Sequence, residues 1–154
     1  MSCLCPRAIT FQGQVVADGE VGEVFLLFSP GGEKLWVPGW EPEFLYPSGT
    51  DWAQGQIFRT REETGEAVWI VTRLDHAQHT VEYHRVEPGR YVARIEVNCR
   101  PTHDHRTRVA VAYSFIGLSE KGNQEIDAMT QHAYDAKMGR WTAWINNHLA
   151  SRGR

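Results

Sequence analysis

The chain is poor in the features that would place it outside the cell or in a membrane. It has three cysteines, an odd number, so a disulfide framework has no support and we expect reduced thiols. No stretch approaches the roughly 18 to 20 consecutive apolar residues that span a bilayer, and no basic segment followed by an apolar one stands at the N-terminus. These absences predict a cytoplasmic protein without membrane insertion.

Positive charge is also scarce. The 16 lysines and arginines are outnumbered by 19 aspartates and glutamates, which gives a formal net charge of -3 at pH 7. A chain with this balance has no broad positive field with which to hold a phosphate backbone. Nucleic acid is therefore not expected as a partner.

The sequence lacks the short motifs of common enzymes and cofactor sites. G-x-S-x-G, G-x-x-x-x-G-K-[ST] and G-x-G-x-x-G are all absent, so hydrolases, NTPases and dehydrogenases lose their usual support. Cys3 and Cys5 have a metal-ligand spacing but no second pair to complete a site. His103 and His105 lie in a polar, turn-forming segment. We expect no metal centre and no cofactor, and adventitious metal at the two histidines stays an open alternative.

What the chain does have is enough apolar material for one core. Hydrophobic residues make up 42% of the sequence and charged residues 23%. Its prolines and glycines are spread between apolar segments rather than collected in one low-complexity tract. We expect a single domain over residues 7–150, with flexible ends at 1–6 and 151–154.

Alternation of apolar and polar residues, interrupted by turn-forming residues, predicts strands. The predicted strands are 7–16, 55–61, 67–75, 78–86, 90–100 and 107–118. Short connections between the last five imply antiparallel neighbours. In the last strand the larger residues alternate with smaller ones, and we expect the larger set to face the core, namely Val109, Val111, Tyr113 and Phe115.

Two short helices are predicted after the first strand. Asp18 is a good N-cap for a helix that runs to about Ser29, and Pro30 can begin a second one through Leu35. The following segment, 36–52, is rich in proline and aromatic residues, so we expect a loop that packs as a lid.

Beyond Gly117 the apolar period changes to about 3.6, which predicts a helix. Ser119 and Asn123 are both good N-caps, and no proline interrupts the pattern after them. One long helix is therefore expected to end the chain. With the preceding elements this gives an α+β protein in which a curved, six-stranded antiparallel sheet wraps around the helix.

At this point the sequence resembles the START-like or SRPBCC superfamily. This is the helix-grip (Bet v 1-like) fold of plant pathogenesis-related allergens, polyketide cyclases and homologues of the heat-shock chaperone ATPase activator. The resemblance covers nearly all of the chain, about residues 7–150. It is carried by LFSPGGEKLWVPGW (27–40), HTVEYHRVEPG (79–89), TRVAVAYSFIGLSEKG (107–122) and MGRWTAWI (138–145).

The resemblance implies a cavity between helix and sheet that holds a small hydrophobic molecule, lipid-like, aromatic or polyketide in character. The side chains expected to line it are aromatic or apolar: Trp36, Trp40, Phe58, Tyr83, Tyr113, Met129, Ala133 and Trp141. The same rings could instead pack a solid core, as aromatic residues at strand and helix spacing usually do.

Two further functions stay open. A polyketide cyclase-like enzyme would need polar groups inside the cavity to orient a poly-β-ketone and to move protons. The candidates for these roles are Tyr83, Arg85, Tyr113 and Arg140, with His132 as a further polar residue. An interaction module similar to the chaperone-activator homologues would use the outer surface instead, and either a monomer or a homodimer fits the sequence.

We predict that Trp40→Ala or Tyr113→Ala weakens binding of an apolar ligand more than loss of His103 and His105 together. The two rings are expected in the wall of the cavity, whereas the two histidines are expected in an exposed turn. Titration of each variant with a fluorescent apolar probe makes the comparison. A larger loss in the double histidine variant would refute the proposed placement.

Overall fold

One sheet carries every strand of the computed structural model, which describes residues 3–63 and 65–152. The strands are β1 (Ala8–Ala17), β2 (Glu43–Tyr46), β3 (Ile57–Glu62), β4 (Gly65–Asp75), β5 (Thr80–Glu87), β6 (Tyr91–Pro101) and β7 (Thr107–Gly117). The helices are α1 (Val21–Leu26), α2 (Glu120–Asp127) and α3 (Gln131–Arg152), with a 3₁₀ helix at Gly32–Leu35. No helix within the described ranges is long and apolar enough to cross a bilayer.

The strand order is β1-β7-β6-β5-β4-β3-β2, and every neighbouring pair is antiparallel. From β2 to β7, strands that are consecutive in sequence are neighbours in the sheet, and β1 joins at β7. The α+β class, the antiparallel sheet and the C-terminal helix are confirmed. The number of strands is corrected, because the described residues form seven rather than six.

The additional strand, β2, lies inside the segment 36–52, for which the prolines predict a loop. The residues between Pro42 and Pro47 contain no proline, and a strand at the edge of a sheet needs backbone partners on one side only. Glu43 lies opposite Arg59 of β3, whose guanidinium donates to both carboxylate oxygens at 2.7 and 2.9 Å. A proline-rich segment can therefore still contain a short edge strand.

The core lies between α3 and one face of the sheet. The buried residues of β7 include Val109, Val111, Tyr113 and Phe115, which confirms that the larger side chains of this strand face the core. The buried residues of α3 are Tyr134, Met138, Ile145 and Leu149. They recur at intervals of four and seven, so one stripe of the helix meets the sheet.

Two features of β1 and β7 set the position of α3. Gly13 of β1 has no side chain, and a Cβ there would lie 2.9 Å from both Met138 Cγ and Tyr134 Cε1. The helix therefore lies so close to the strand that any larger residue at position 13 would force Met138 or Tyr134 to move. Tyr134 Oη also donates a hydrogen bond to the backbone oxygen of Val111 at 2.5 Å, which satisfies a buried hydroxyl.

The helical region after β7 is two helices rather than the single one predicted. Ser119 is the N-cap of α2, and its Oγ accepts a hydrogen bond from the Gly122 amide at 2.9 Å, whereas Asn123 lies inside the helix. α2 ends before Thr130, whose Oγ1 accepts from the Ala133 amide at 3.1 Å. Thr130 caps the start of α3, so α2 and α3 are separate helices. The apolar period continues from α2 into α3, so the periodicity alone does not indicate the break.

The two short helices after β1 are present, but their details differ. The N-cap of α1 is Glu20, without a side-chain hydrogen bond. Asp18 is not the cap, because its carboxylate accepts from Arg106 Nε at 2.9 Å. The second helix, predicted over 30–35, is a turn of 3₁₀ helix.

The chain ends are only partly described. Residues 1–2 and 153–154 lie outside the described residues, and so does Thr64, which is expected in the connection between the strands predicted at 55–61 and 67–75. Ser151 and Arg152, which we expected in a flexible end, belong to the last turn of α3. The single domain over 7–150 stays a prediction.

We predict that Gly122→Ala destabilises the fold strongly. The added Cβ would lie 1.6 Å from the backbone oxygen of Arg90, and backbone cannot move aside as the end of a side chain can. We expect the free energy of unfolding to fall by roughly 3 kcal/mol, measured by urea denaturation.

Gly139→Ala in α3 is the matched control for this experiment. A Cβ at Gly139 meets nothing within 4 Å, and alanine favours the helix over glycine, so stability should rise by up to about 1 kcal/mol. Equal losses in the two variants would contradict the close packing of α2 on the β5–β6 turn.

Candidate functional site

A cavity of about 530 Å³ lies between the sheet, α3 and the segment 37–43. Its buried wall is apolar and aromatic, and includes Phe28, Tyr83, Ile95, Val97 and Tyr113. Other lining residues are exposed and mostly charged, and include Glu41, Glu43, Arg61 and Glu62. The cavity therefore has an apolar interior and opens to solvent beside charged side chains.

Three residues that lie opposite one another in neighbouring strands form the floor of the cavity. Tyr83 of β5 is the Cα partner of Ile95 of β6, which is in turn the partner of Tyr113 of β7. Residues in register point to the same face of a sheet, so the alternation of the strands places all three inward. Tyr83 Oη donates to the backbone oxygen of Phe28 at 2.7 Å, and burial raises the pKa of both tyrosines, so they are neutral phenols.

Trp40 closes one side of the cavity. Its indole Nε1 donates to the backbone oxygen of Pro30 at 2.8 Å, which ties the segment 37–43 to the start of the preceding turn. Its ring lies edge-on to Trp69 and Phe58, with centroids 5.4 and 6.1 Å away. Aromatic pairs in this geometry add to the stability that burial provides. The side chain is therefore held in place without a ligand.

Lys137 of α3 brings an amine into this largely aromatic interior. Its Nζ lies 3.6 Å from the centroid of the Tyr113 ring and 5.3 Å from that of Trp141. Burial and, to a smaller extent, the positive charges of Arg85 and Arg140 lower the pKa of Lys137 to about 7, while the charge of Glu33 acts in the opposite direction. A substantial fraction of this amine is therefore uncharged at neutral pH.

Glu33 brings a carboxyl group into the same cavity from the 3₁₀ helix. Burial, partly offset by the charge of Lys137, raises the pKa of Glu33 to about 8. A carboxylic acid that keeps its proton near pH 7 can donate it to a bound molecule. Glu33 and Lys137 thus form an acid and a base that can both exchange protons close to neutral pH.

Arg85 of β5 adds a positive charge. Its guanidinium carbon lies 5.4 Å from the centroid of the Trp69 ring, and its Nη2 is 3.4 Å from Glu87 Oε2. Its Nε is buried and makes no hydrogen bond. Arg85 lines the cavity and so adds its positive charge to this wall.

Solved structures of other proteins share this arrangement of sheet and helices. A point mutant of norcoclaurine synthase from Thalictrum flavum has a TM-score of 0.71 at 11% identity, over 99% of this chain and 100% of that chain. The Zhui aromatase/cyclase from Streptomyces sp. R1128 has a TM-score of 0.65 at 14% identity, over 93% and 96%. The major latex-like protein 151 from Panax ginseng has a TM-score of 0.68 at 12% identity, over 92% and 97%.

The chain has the helix-grip fold. The resemblance to the START-like superfamily is thereby confirmed at the level of fold, since all three proteins are Bet v 1-like. No family model and no curated protein matches the sequence.

The helix-grip fold brings about half of the predicted wall residues to the cavity. Trp40, Tyr83, Tyr113 and Trp141 line it, and so does Arg85 from the set of candidate catalytic residues. Trp36, Phe58 and Met129 pack in or against the core instead. Ala133, Arg140 and His132 are exposed and do not line the cavity. All three belong to α3, whose buried side chains are Tyr134, Met138, Ile145 and Leu149 instead.

Sequence reasoning missed Glu33 and Lys137. Lys137 stands one residue before Met138 and four before Trp141, so a charged side chain borders the apolar stripe of a helix. That position is a usable signal, although lysines at such borders usually reach solvent. Glu33 carries no such signal, because only the fold of the turn places it opposite α3.

Among residues 3–63 and 65–152, no group of three or more histidine, cysteine, aspartate or glutamate side chains could hold a metal ion. His105 Nδ1 lies 3.6 Å from Glu20 Oε1 at the surface. His76 and His79 instead contact the ring of Phe25, with centroids 6.0 and 5.6 Å away.

We predict that Glu33→Gln changes how stability depends on pH. Between the ordinary pKa of 4.5 and about 8, the folded wild type binds more protons at Glu33 than the unfolded chain, so its stability falls as pH rises through this interval. The glutamine variant lacks this loss. Its stability relative to wild type should increase by about 2 kcal/mol from pH 5 to pH 8, measured by urea denaturation.

Glu41→Gln provides the control for removing one carboxylate from the rim of the same cavity, since Glu41 is exposed. A relative stability of Glu33→Gln that stays constant over this pH range would show that the Glu33 carboxyl is not held in a low-dielectric site.

Proposed function

We propose that this protein binds a small, largely apolar molecule in the cavity between the sheet and α3. The observation that carries the proposal is the cavity itself, about 530 Å³ with a buried wall of aromatic and aliphatic side chains. Cavities of roughly 300 to 1,000 Å³ with a few polar groups are typical of small-molecule sites. A wall already held in place by its own hydrogen bonds lowers the cost of ordering it on binding.

The distribution of polar groups supports an amphipathic ligand. Its apolar body would lie on the floor made by Tyr83, Ile95 and Tyr113, beside the Lys137 amine that contacts the Tyr113 ring. A polar end would reach either Lys137 and Glu33 or the charged rim. Aromatic rings suit the wall especially well, because the Trp40 and Trp141 rings can contact them edge-on or stacked.

Proteins with the same fold give general support to this proposal. One structure of norcoclaurine synthase from Thalictrum flavum holds dopamine and hydroxybenzaldehyde, both small aromatic molecules. Another fold neighbour is an aromatase/cyclase. At 13% and 14% identity these proteins share the fold, so their ligands are only a guide to the class of molecule.

Catalysis on the bound molecule is the second candidate function. The observation that favours it is the presence of Glu33 and Lys137, an acid and a base with pKa values of about 8 and about 7, in one cavity. A polyketide cyclase-like reaction needs such proton transfers, with Tyr113 or Arg85 to orient the substrate. The alternative of a protein-interaction module has no comparable observation in its support.

We predict that Val97→Phe weakens ligand binding by filling the cavity. Val97 is buried and lines the cavity from β6, so the larger ring would occupy the space of the ligand. We expect the Kd for the apolar dye N-phenyl-1-naphthylamine, measured by fluorescence titration, to rise by about tenfold or more.

Val92→Phe is the matched control, because it makes the same change in the same strand on the other face of the sheet. Its Kd should stay within about twofold of wild type. Equal effects in the two variants, with both still folded by circular dichroism, would place the dye elsewhere on the protein. Native mass spectrometry of the freshly purified protein would identify a ligand that copurifies.

A further inference from the structure

The lysine in the cavity differs from the other two lysines of the chain. The sequence contains Lys34, Lys121 and Lys137. Lys34 and Lys121 are exposed, whereas Lys137 is half-buried, with its Nζ 3.6 Å from the centroid of the Tyr113 ring. One primary amine of the described chain is thus presented to the interior of a cavity with room for a small molecule.

Among the residues that the structure describes, no carboxylate forms an ion pair with this amine. Within 3–63 and 65–152, Lys137 makes no ion pair within 4 Å, and its contacts are with the rings of Tyr113, Tyr134 and Trp141. The charged groups that act on it from neighbouring elements are Arg85 of β5 and Glu33 of the 3₁₀ helix, with Arg140 on α3 itself. Burial and two positive charges together favour the uncharged amine, which has a free electron pair.

The cavity also contains a proton donor. Glu33 lines the same cavity, and its charge and that of Lys137 influence one another. Because burial keeps the Glu33 carboxyl protonated near neutral pH, it can protonate a leaving hydroxyl group. A nucleophilic amine and a nearby acid are the two groups that condensation with a carbonyl requires.

We propose that Lys137 forms an imine with the carbonyl carbon of an aldehyde or ketone ligand bound in this cavity. The proposal rests on the function proposed above, and it names the reactive group of the ligand. Nζ forms a bond to the carbonyl carbon, and a proton passes from nitrogen to oxygen to give a carbinolamine. The hydroxyl takes a proton from Glu33 and leaves as water, a C=N double bond forms, and the remaining N–H proton returns to Glu33.

The rings around Nζ define the rest of the ligand. Tyr113 and Trp141 flank the amine, so a carbonyl attached to an aromatic or other flat apolar group would lie against these rings while its carbon meets Nζ. Lys34 and Lys121 lack such surroundings because they are exposed. The reaction should therefore select one lysine of three.

The experiment uses the full chain, 6-methoxy-2-naphthaldehyde and sodium cyanoborohydride, which reduces an imine to a stable secondary amine. After reaction at pH 7, peptide mapping by mass spectrometry compares labelling of the three lysines. We expect Lys137 to be labelled at least about tenfold more than Lys34 or Lys121, and this preference to shrink near pH 10, where an ordinary lysine amine loses its proton.

Three variants test the roles of the residues. Lys137→Arg should remove the label while keeping a positive charge, and Lys121→Arg should leave labelling of Lys137 unchanged. Glu33→Gln should slow labelling of Lys137 about tenfold or more, because water then leaves without a nearby acid, while the preference for Lys137 persists. A Glu33→Gln rate equal to wild type would remove Glu33 from the proposal.

Binding of 2-methoxynaphthalene, which has the same rings but no carbonyl, separates this proposal from the proposed function. If 2-methoxynaphthalene binds but the aldehyde labels all three lysines alike, the imine proposal is wrong, whereas the proposal that the cavity binds apolar ligands stands. If neither compound binds, both proposals fail. Selective labelling of Lys137, suppressed by excess 2-methoxynaphthalene, would support both.

Discussion

The site depends on where α3 packs against the sheet. Gly13 of β1 admits the helix at one side of the sheet, and Tyr134 holds it there through the backbone oxygen of Val111. The strands β3, β4 and β5 lie toward the other edge, where α3 does not fill the space. One helix cannot cover the whole apolar face of a seven-stranded sheet. The segment 37–43, which contains Trp40, covers part of the remaining face, and the cavity lies between this segment, α3 and the sheet.

The chemistry of the cavity follows from this incomplete filling. A lysine at the border of the helix stripe would reach bulk water on a flat surface, but here Lys137 reaches the cavity and meets aromatic rings. The turn that carries Glu33 closes the same space from the other side. Burial then shifts both pKa values toward neutrality, in opposite directions, because a low-dielectric surrounding disfavours either charge.

Much of the fold could be predicted from local patterns. Period-two alternation located six strands, and the large side of β7 faces the core as its residue sizes predicted. Where prediction failed, interactions beyond the local pattern decided the outcome. The edge strand β2 depends on pairing with β3. The break between α2 and α3 depends on the hydrogen bond by which Thr130 caps α3, and the periodicity of apolar residues does not indicate this bond. The Asp18 carboxylate accepts a hydrogen bond from Arg106, 88 positions away, and does not cap the neighbouring helix α1.

The sequence by itself determined the α+β class, the antiparallel pairing of consecutive strands and the C-terminal helical region. These follow from side-chain periodicity and short connections, which act between residues close in the chain. The predicted cavity wall came instead from the resemblance to the START-like superfamily, and Trp40, Tyr83, Tyr113 and Trp141 are the members of that set that line the cavity. Only the tertiary structure decided that Ala133 and Arg140 face outward and that Glu33 and Lys137 share a cavity. Their meeting depends on the angle and position at which a distant helix packs, and no spacing between residues 33 and 137 records it.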